Sequence, residues 1–411
     1  MSTFAWLDYS ERQRRRMLEV VEMFREEGTV DELGLGAARD ALADTMFPGT
    51  STLHTRPRYL LFIPWIYRIL ERSRTPSDQV ATALKNREVR LIGALDAGGE
   101  NEGVIGIEAR AKLKRFPSVL YWSALGTFGI RQFKGSQQQY HRSLDAIYQQ
   151  RSNLPIPEAD VPSGEGTIKT WDARVPGTPE GWLDATDFDL TFPEADYLQQ
   201  RILEHAPGSY LAHLVRREDE QVDGDFAWDA PHAFTAPPTV RNHLEHARNF
   251  SELMHGAALL YNLILAEKVN DARTTGAELD VEGDRRDEYR TMLLDWNGRV
   301  EQRAESYADW NRAGFWALVR ERNPLVSQRT VWFVDQWIAQ ALTRNGEIAD
   351  DETARALVAE REIAVKRGLA RVSNLRALER WSGASGVGQL VFRWPQGRRY
   401  AQDIIDGLSR S

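Results

Sequence analysis

The sequence contains no cysteine. That removes disulfide frameworks, thiol nucleophiles, iron–sulfur clusters and cysteine-based zinc ribbons, and it suits the reducing cytoplasm. No run approaches the roughly 18 uninterrupted apolar residues of a spanning helix. The first residues, Met1 to Arg16, carry their arginines after polar residues rather than ahead of an apolar core, unlike an export signal. The expectation is a soluble, unexported, cytoplasmic protein. A positive excess is also missing: 52 Lys and Arg stand against 60 Asp and Glu, a formal charge of −8, so the chain is no generally basic nucleic-acid coat. With 42% apolar residues in 411, it has enough to bury one large core or two ordinary ones.

Several chemical signatures are absent too. No Gly-x4-Gly-Lys-Ser/Thr run is present to cradle phosphates. Gly34-Leu-Gly36 lacks the third glycine and the preceding strand of a dinucleotide fingerprint, and reads as a helix-start glycine pair. Gly383-Ala-Ser385-Gly386 has the wrong spacing for the nucleophile elbow of a serine hydrolase. No cofactor is expected.

What is present is mainly helical. Ser10 can cap an amphipathic helix with Met17, Val20, Val21 and Phe24 on one face, ending at Gly28. Thr29 and Glu32 have capping-box spacing ahead of Leu33, Leu35, Ala38 and Leu42, a second helix broken at Phe47-Pro48-Gly49. Residues 59–70 are apolar all round and contain Pro64, which predicts a buried helix kinked or begun at that proline, at the centre of the first core. A helix from Ser118 to Phe128, capped by Ser118, is expected next. Residues 151–193 hold six of the 17 prolines, with Trp171, Trp182 and Phe188 among them, and read as a long irregular arm that packs its aromatics onto the body. A short helical pair (195–204, 210–217) precedes a second irregular stretch around Trp228. From Val240, apolar residues recur at threes and fours to Leu265, predicting a long central helix, with further helices at 287–306, 327–342 and 352–372. Gly388 to Trp394 is short and β-prone, the one strand signal, and suggests a small β-hairpin or wing near the C-terminus. The fold class is thus mainly α, multi-helix, in three segments: an N-terminal helical domain (1–150), a Pro-rich arm with a short helical pair (151–239) and a C-terminal helical domain with a small basic β element (240–411).

Charge is segregated. Residues 101–150 carry seven cations, among them Lys112, Lys114, Arg115, Arg131, Lys134 and Arg142, against three acids. Residues 363–411 carry nine, including Arg371, Arg376, Arg393, Arg398 and Arg399, against three. Neutralisation of phosphates by Lys and Arg dominates nucleic-acid affinity, so these segments, with Arg56 and Arg58 beside the hydroxyl-rich turn Thr50-Ser-Thr52, are the candidate DNA contacts. Tyr121, Trp122, Phe128, Phe133 and Tyr140 interleave with the first segment and either stack on bases or fill a core. The bland alternative is that the basic residues pair with the chain's own acidic half or with an acidic subunit.

Two metal arrangements are weaker. His243 and His246 lie three apart on the long helix, near Glu245, Glu252 and His255, but zincin pairs sit four apart with a glutamate between. Asp96 followed by Glu108-Ala-Arg110 approximates a restriction-type nuclease site with arginine where lysine belongs; arginine cannot serve as a titratable base. No metal site is assigned, and no catalytic residue.

The runs Phe4-Ala-Trp-Leu-Asp-Tyr-Ser10, Asp31-Glu-Leu-Gly-Leu-Gly36, Phe47-Pro-Gly-Thr-Ser-Thr52 with Thr55-Arg56, Tyr59 to Tyr67, Pro117 to Trp122, Tyr140-His-Arg142 and Met254-His-Gly-Ala257 together resemble an uncharacterised bacterial family of unknown function. The resemblance covers most of the chain and implies gene neighbourhoods of anti-phage defence, near helicases and other DNA-processing genes, but transfers no catalytic residue. The combined expectation is a non-catalytic subunit of a defence assembly that contacts the DNA phosphate backbone and docks onto a helicase or nuclease. The alternatives are a metal-dependent nuclease with an atypical site, and a scaffold or phage-protein sensor whose aromatic arm is the docking surface.

Overall fold

A computed structural model describes residues 31–153, 169–216, 221–276, 279, 281, 283–343 and 347–410. The expected helix from Ser10 to Gly28 lies outside these. Seventeen α-helices and three short 3-10 turns form the described residues, and no strand occurs among them; a single isolated antiparallel bridge joins Arg131 and Trp171. The chain divides into two compact units, one of residues 1–41 and 246–390, the other of 42–245 and 391–411.

In the second unit the helix Tyr59–Arg72 is the core: every residue from Tyr59 to Tyr67 is buried, and Pro64 sits inside the helix rather than beginning it. The helix Val80–Ala97 packs beside it, and Trp394–Leu408 lies along Phe192–His205. The arm docks as its aromatics predict. Trp182 stacks on Phe62 at 5.6 Å and Trp171 on Tyr67 at 5.2 Å, while Trp65 donates its indole N–H to the Pro176 carbonyl at 2.9 Å. An indole buries a large apolar area only if its N–H finds an acceptor, and irregular backbone has carbonyls to spare.

Two local expectations change here. Ser118 does not cap a helix: Phe116 precedes Pro117–Leu120, a second short helix follows at Trp122–Thr127, and the Ser118 hydroxyl turns inward to Glu88 at 3.0 Å. The β element at 388–394 is absent. That segment is irregular, Phe392 and Arg393 take φ of 49° and 63°, and Trp394 already begins the last helix. The β-prone side chains are used as packing instead: Phe392 and Trp394 are buried, with the Trp394 ring against Phe47.

In the first unit the helix Pro238–Thr274 supplies a buried axis from His246 onward, flanked by Arg286–Gln302, Arg312–Arg322, Gln328–Thr343 and Glu352–Lys366. Trp296 and Trp337 donate their indole N–H groups to the Glu252 and Leu253 carbonyls at 2.7 and 2.8 Å. Gly256 makes that approach possible, since a Cβ there would lie 2.3 Å from the Trp296 ring. The helix Gly36–Met46 is started by Asp31, whose carboxylate accepts the N–H groups of Leu35 and Gly36 at 2.5 and 2.7 Å. Thr29, the other half of the expected capping box, lies outside the described residues, and Glu32 is buried in an ion-pair network.

Candidate anion-binding cleft

The turn at Phe47-Pro48-Gly49 and the strained entry to the last helix bring opposite ends of the chain together. A cleft of about 520 Å³ opens there, its lining including His54, Thr55 and Arg56, then Arg398, Arg399 and Gln402, and the carboxylates of Glu102 and Asp223. Its wall is built around His54. Nε2 must carry the hydrogen, because it meets the Leu120 carbonyl at 3.0 Å, and Nδ1 then accepts from the Tyr400 hydroxyl at 3.1 Å. The ring stacks on Tyr121 at 3.9 Å. Burial lowers the His54 pKa to about 4, so the imidazole is neutral and acts as a brace. The Tyr121 hydroxyl accepts the Thr55 N–H at 2.9 Å and donates to the Arg56 carbonyl at 3.0 Å, fixing the backbone that carries Arg56.

Arg56 donates through Nε to Asp403 at 2.7 Å and lies over the Phe188 ring. Burial raises the Asp403 carboxyl to about 6 against the lowering pull of Arg56. Arg398 and Arg399 differ from it. Their carboxylate neighbours, Asp223 and Asp403, stand at 3.6 and 4.0 Å, and their side chains are 43% and 49% exposed. Arg398 also donates to the Gly224 carbonyl at 3.3 Å, and both guanidiniums keep further donors for a ligand.

The other candidate cations divide by environment. Arg58 is buried, its guanidinium held by Asp187 at 2.7 Å and Glu194 at 3.0 Å. Arg131 donates to the Trp122, Phe133 and Gly135 carbonyls and covers the Trp122 ring. Arg393 binds Asp44 at 2.5 Å and the Thr50 carbonyl at 2.8 Å. In the other unit Arg371 binds Glu32 at 2.7 Å, in a network with Lys366, Glu362, Tyr261 and Ser385. Arg58, Arg371 and Arg393 are paired with acids of the chain itself, as the bland reading of the charge pattern allowed, and Arg131 is held by carbonyls. Lys112, Lys114, Lys134, Arg142 and Arg376 are exposed, and Arg115 is half-buried. The hydroxyls at 50–52 are likewise used locally: Thr50 donates to the Phe47 carbonyl at 2.6 Å and Ser51 accepts from the Leu53 N–H at 3.3 Å.

One member of each metal arrangement, His246 and Asp96, is engaged in another bond. His246 is buried and accepts the Trp310 indole N–H at 2.9 Å. Asp96, near the end of the helix Val80–Ala97, pairs with Arg110 of a 3-10 turn at 2.5 Å, and neither lies on a strand. Among the described residues no three His, Asp or Glu side chains are gathered as a metal site. Ser385 donates to Glu32 and accepts from Arg371.

Sequence reasoning missed His54 and Tyr400, and marked Tyr121 only as a base-stacking or core residue. The signal was available only as a lone histidine two residues ahead of Arg56, and nothing local marks Tyr400 as its partner. It also missed that Gln402 would accept the Val222 N–H at 2.9 Å and so hold the far wall.

No curated protein and no solved structure matches the chain. Residues 1–407 match DUF6361, a family of unknown function, and the chain belongs to that family.

Proposed function

We propose that this protein is a non-catalytic subunit of a bacterial defence assembly that holds DNA by its phosphate backbone and docks onto a helicase or nuclease partner. The observation that carries the DNA contact is the convergence of Arg56, Arg398 and Arg399 on one cleft, two of them half-exposed and only loosely paired. A phosphodiester offers two charged acceptors per residue, and guanidinium forks bind them bidentately at little cost when the competing carboxylate is as open as Asp223, 78% exposed. Exposed Lys112, Lys114, Lys134 and Arg142 on the same unit add backbone contacts without base reading. The defence setting and the partner rest on the family resemblance.

The deciding experiment is a DNA titration of the full chain and of its Arg398→Gln/Arg399→Gln variant over a range of salt. Weaker binding with a shallower salt dependence supports the reading. Equal affinity and slope would remove this cleft from it. Recovery of a helicase or nuclease with the tagged chain from its host, in nuclease-treated and untreated halves, tests the assembly.

A further inference from the structure

A second groove, of about 550 Å³, lies where the arm enters the helix Phe192–His205. Its floor is apolar, with Trp182 and Leu190 buried beneath and Phe192 48% exposed at the lip. Its rim is acidic. Asp187 and Asp189 are 52% and 61% exposed, and Glu180, exposed, makes no ion pair among the described residues. Arg58 and Arg410 engage one oxygen each of Asp187 and Asp189, at 2.7 and 3.1 Å, which leaves the other carboxylate oxygens as acceptors.

The groove is well built rather than incidental. The Thr186 N–H donates to the Ala94 carbonyl at 3.0 Å, the Phe188 N–H to Glu100 at 2.7 Å, and Trp182 is stacked on Phe62, so the acids stand on a fixed backbone. With Arg58 and Arg410 offsetting two of the three carboxylates, the lining keeps a net negative charge that disfavours a nucleic acid. A lysine or arginine is favoured: its aliphatic stem covers apolar surface while its head meets a carboxylate, and its cation rests favourably over an aromatic face such as Phe192.

We propose that this groove is a docking site for a segment of a partner protein in which basic residues alternate with aromatic or aliphatic ones. The charge complementarity selects that occupant, with the apolar side chains seated towards Trp182 and Phe192 and the cations on Glu180, Asp187 and Asp189. The inference is independent of the DNA cleft, whose residues it does not use.

The test is a fluorescence-anisotropy titration of the full chain with a labelled hexapeptide in which arginine alternates with tryptophan or leucine, against the same peptide with glutamate for arginine. Binding of the basic peptide at least about tenfold tighter than the acidic one is expected, with about a tenfold loss in Glu180→Lys/Phe192→Ser and none in Arg398→Gln/Arg399→Gln. Should the first variant melt early, Asp189→Asn, whose pair with Arg410 lies at the surface, serves in its place. Equal affinity for the two peptides, no measurable binding of either, or binding indifferent to these groove variants would overturn the proposal.

Discussion

Arg56 and Asp403, 347 positions apart in sequence, meet at 2.7 Å with side chains only 15% and 5% exposed. Arg56→Ala would leave the carboxylate buried without its cation, the costly way to break such a pair, and should destabilise the fold by about 3 kcal/mol at pH 8. Burial already lifts Asp403 to about 6, so at pH 5 the orphaned group takes a proton and the loss is smaller. Denaturant unfolding at both values checks this, and Arg56→Ala/Asp403→Asn should cost less than the sum of the singles. A loss independent of pH would show that Arg56 acts by packing on Phe188 alone.

Glu88 gives the clearest titration. Buried on the helix Val80–Ala97, it accepts from the Ser118 N–H at 2.7 Å, and burial outweighs those bonds and raises its pKa to about 7. A carboxyl raised above its ordinary value of 4.5 contributes most below that value, and its contribution falls as pH climbs through 7. Glu88→Gln removes the titration. Its stability relative to wild type should therefore rise between pH 4.5 and 7, by up to about 3 kcal/mol. Parallel profiles for the two proteins would place the shift elsewhere.

Gly98 closes the helix carrying Glu88. A Cβ on Gly98 would lie 1.9 Å from the Thr186 carbonyl oxygen, a backbone atom with no freedom to rotate away. Gly98→Ala should cost about 1–3 kcal/mol and increase proteolytic cleavage in the arm at 170–191. Gly177→Ala, with open space around it, should be close to neutral by thermal melting. Equal effects at the two glycines would mean the arm yields without loss.

These three cases show what a sequence carries. The helix Tyr59–Arg72, the long helix between Val240 and Leu265 and the docking of Trp171, Trp182 and Phe188 were legible because apolar periodicity and aromatics in a polar arm have few other resolutions. Helix starts at 286, 328 and 352 lie within a residue of expectation, while the ends at 302 and 366 fall short of the expected 306 and 372. The strand at 388–394 was misread because β-prone side chains record burial as much as backbone preference, and two positive φ angles turn that segment into the last helix. Charge pattern located the basic segments but could not sort them. Arg58, Arg371 and Arg393 are distinguished from Arg398 and Arg399 by the long-range acids Glu194, Glu32 and Asp44, and Arg131 by carbonyls of the turn that follows it.

Arg398 and Arg399 make the last prediction quantitative. Each phosphate neutralised on duplex DNA releases counterions, and log affinity falls with log salt by about 0.9 per contact. Arg398→Gln and Arg399→Gln should each lower the slope by about 0.9, and together by about 1.8, with similar losses across unrelated DNA sequences. Their own carboxylate neighbours are 3.6 and 4.0 Å away and their side chains 43% and 49% exposed, so stability should change by less than about 0.5 kcal/mol. That separation is what makes the pair informative, since Arg56 tests the cleft and the fold at once. A double variant that keeps the wild-type slope would mean phosphates are met elsewhere, with exposed Lys112 and Lys114 next to be neutralised, whereas a variant that loses affinity for only some sequences would mean these arginines read bases.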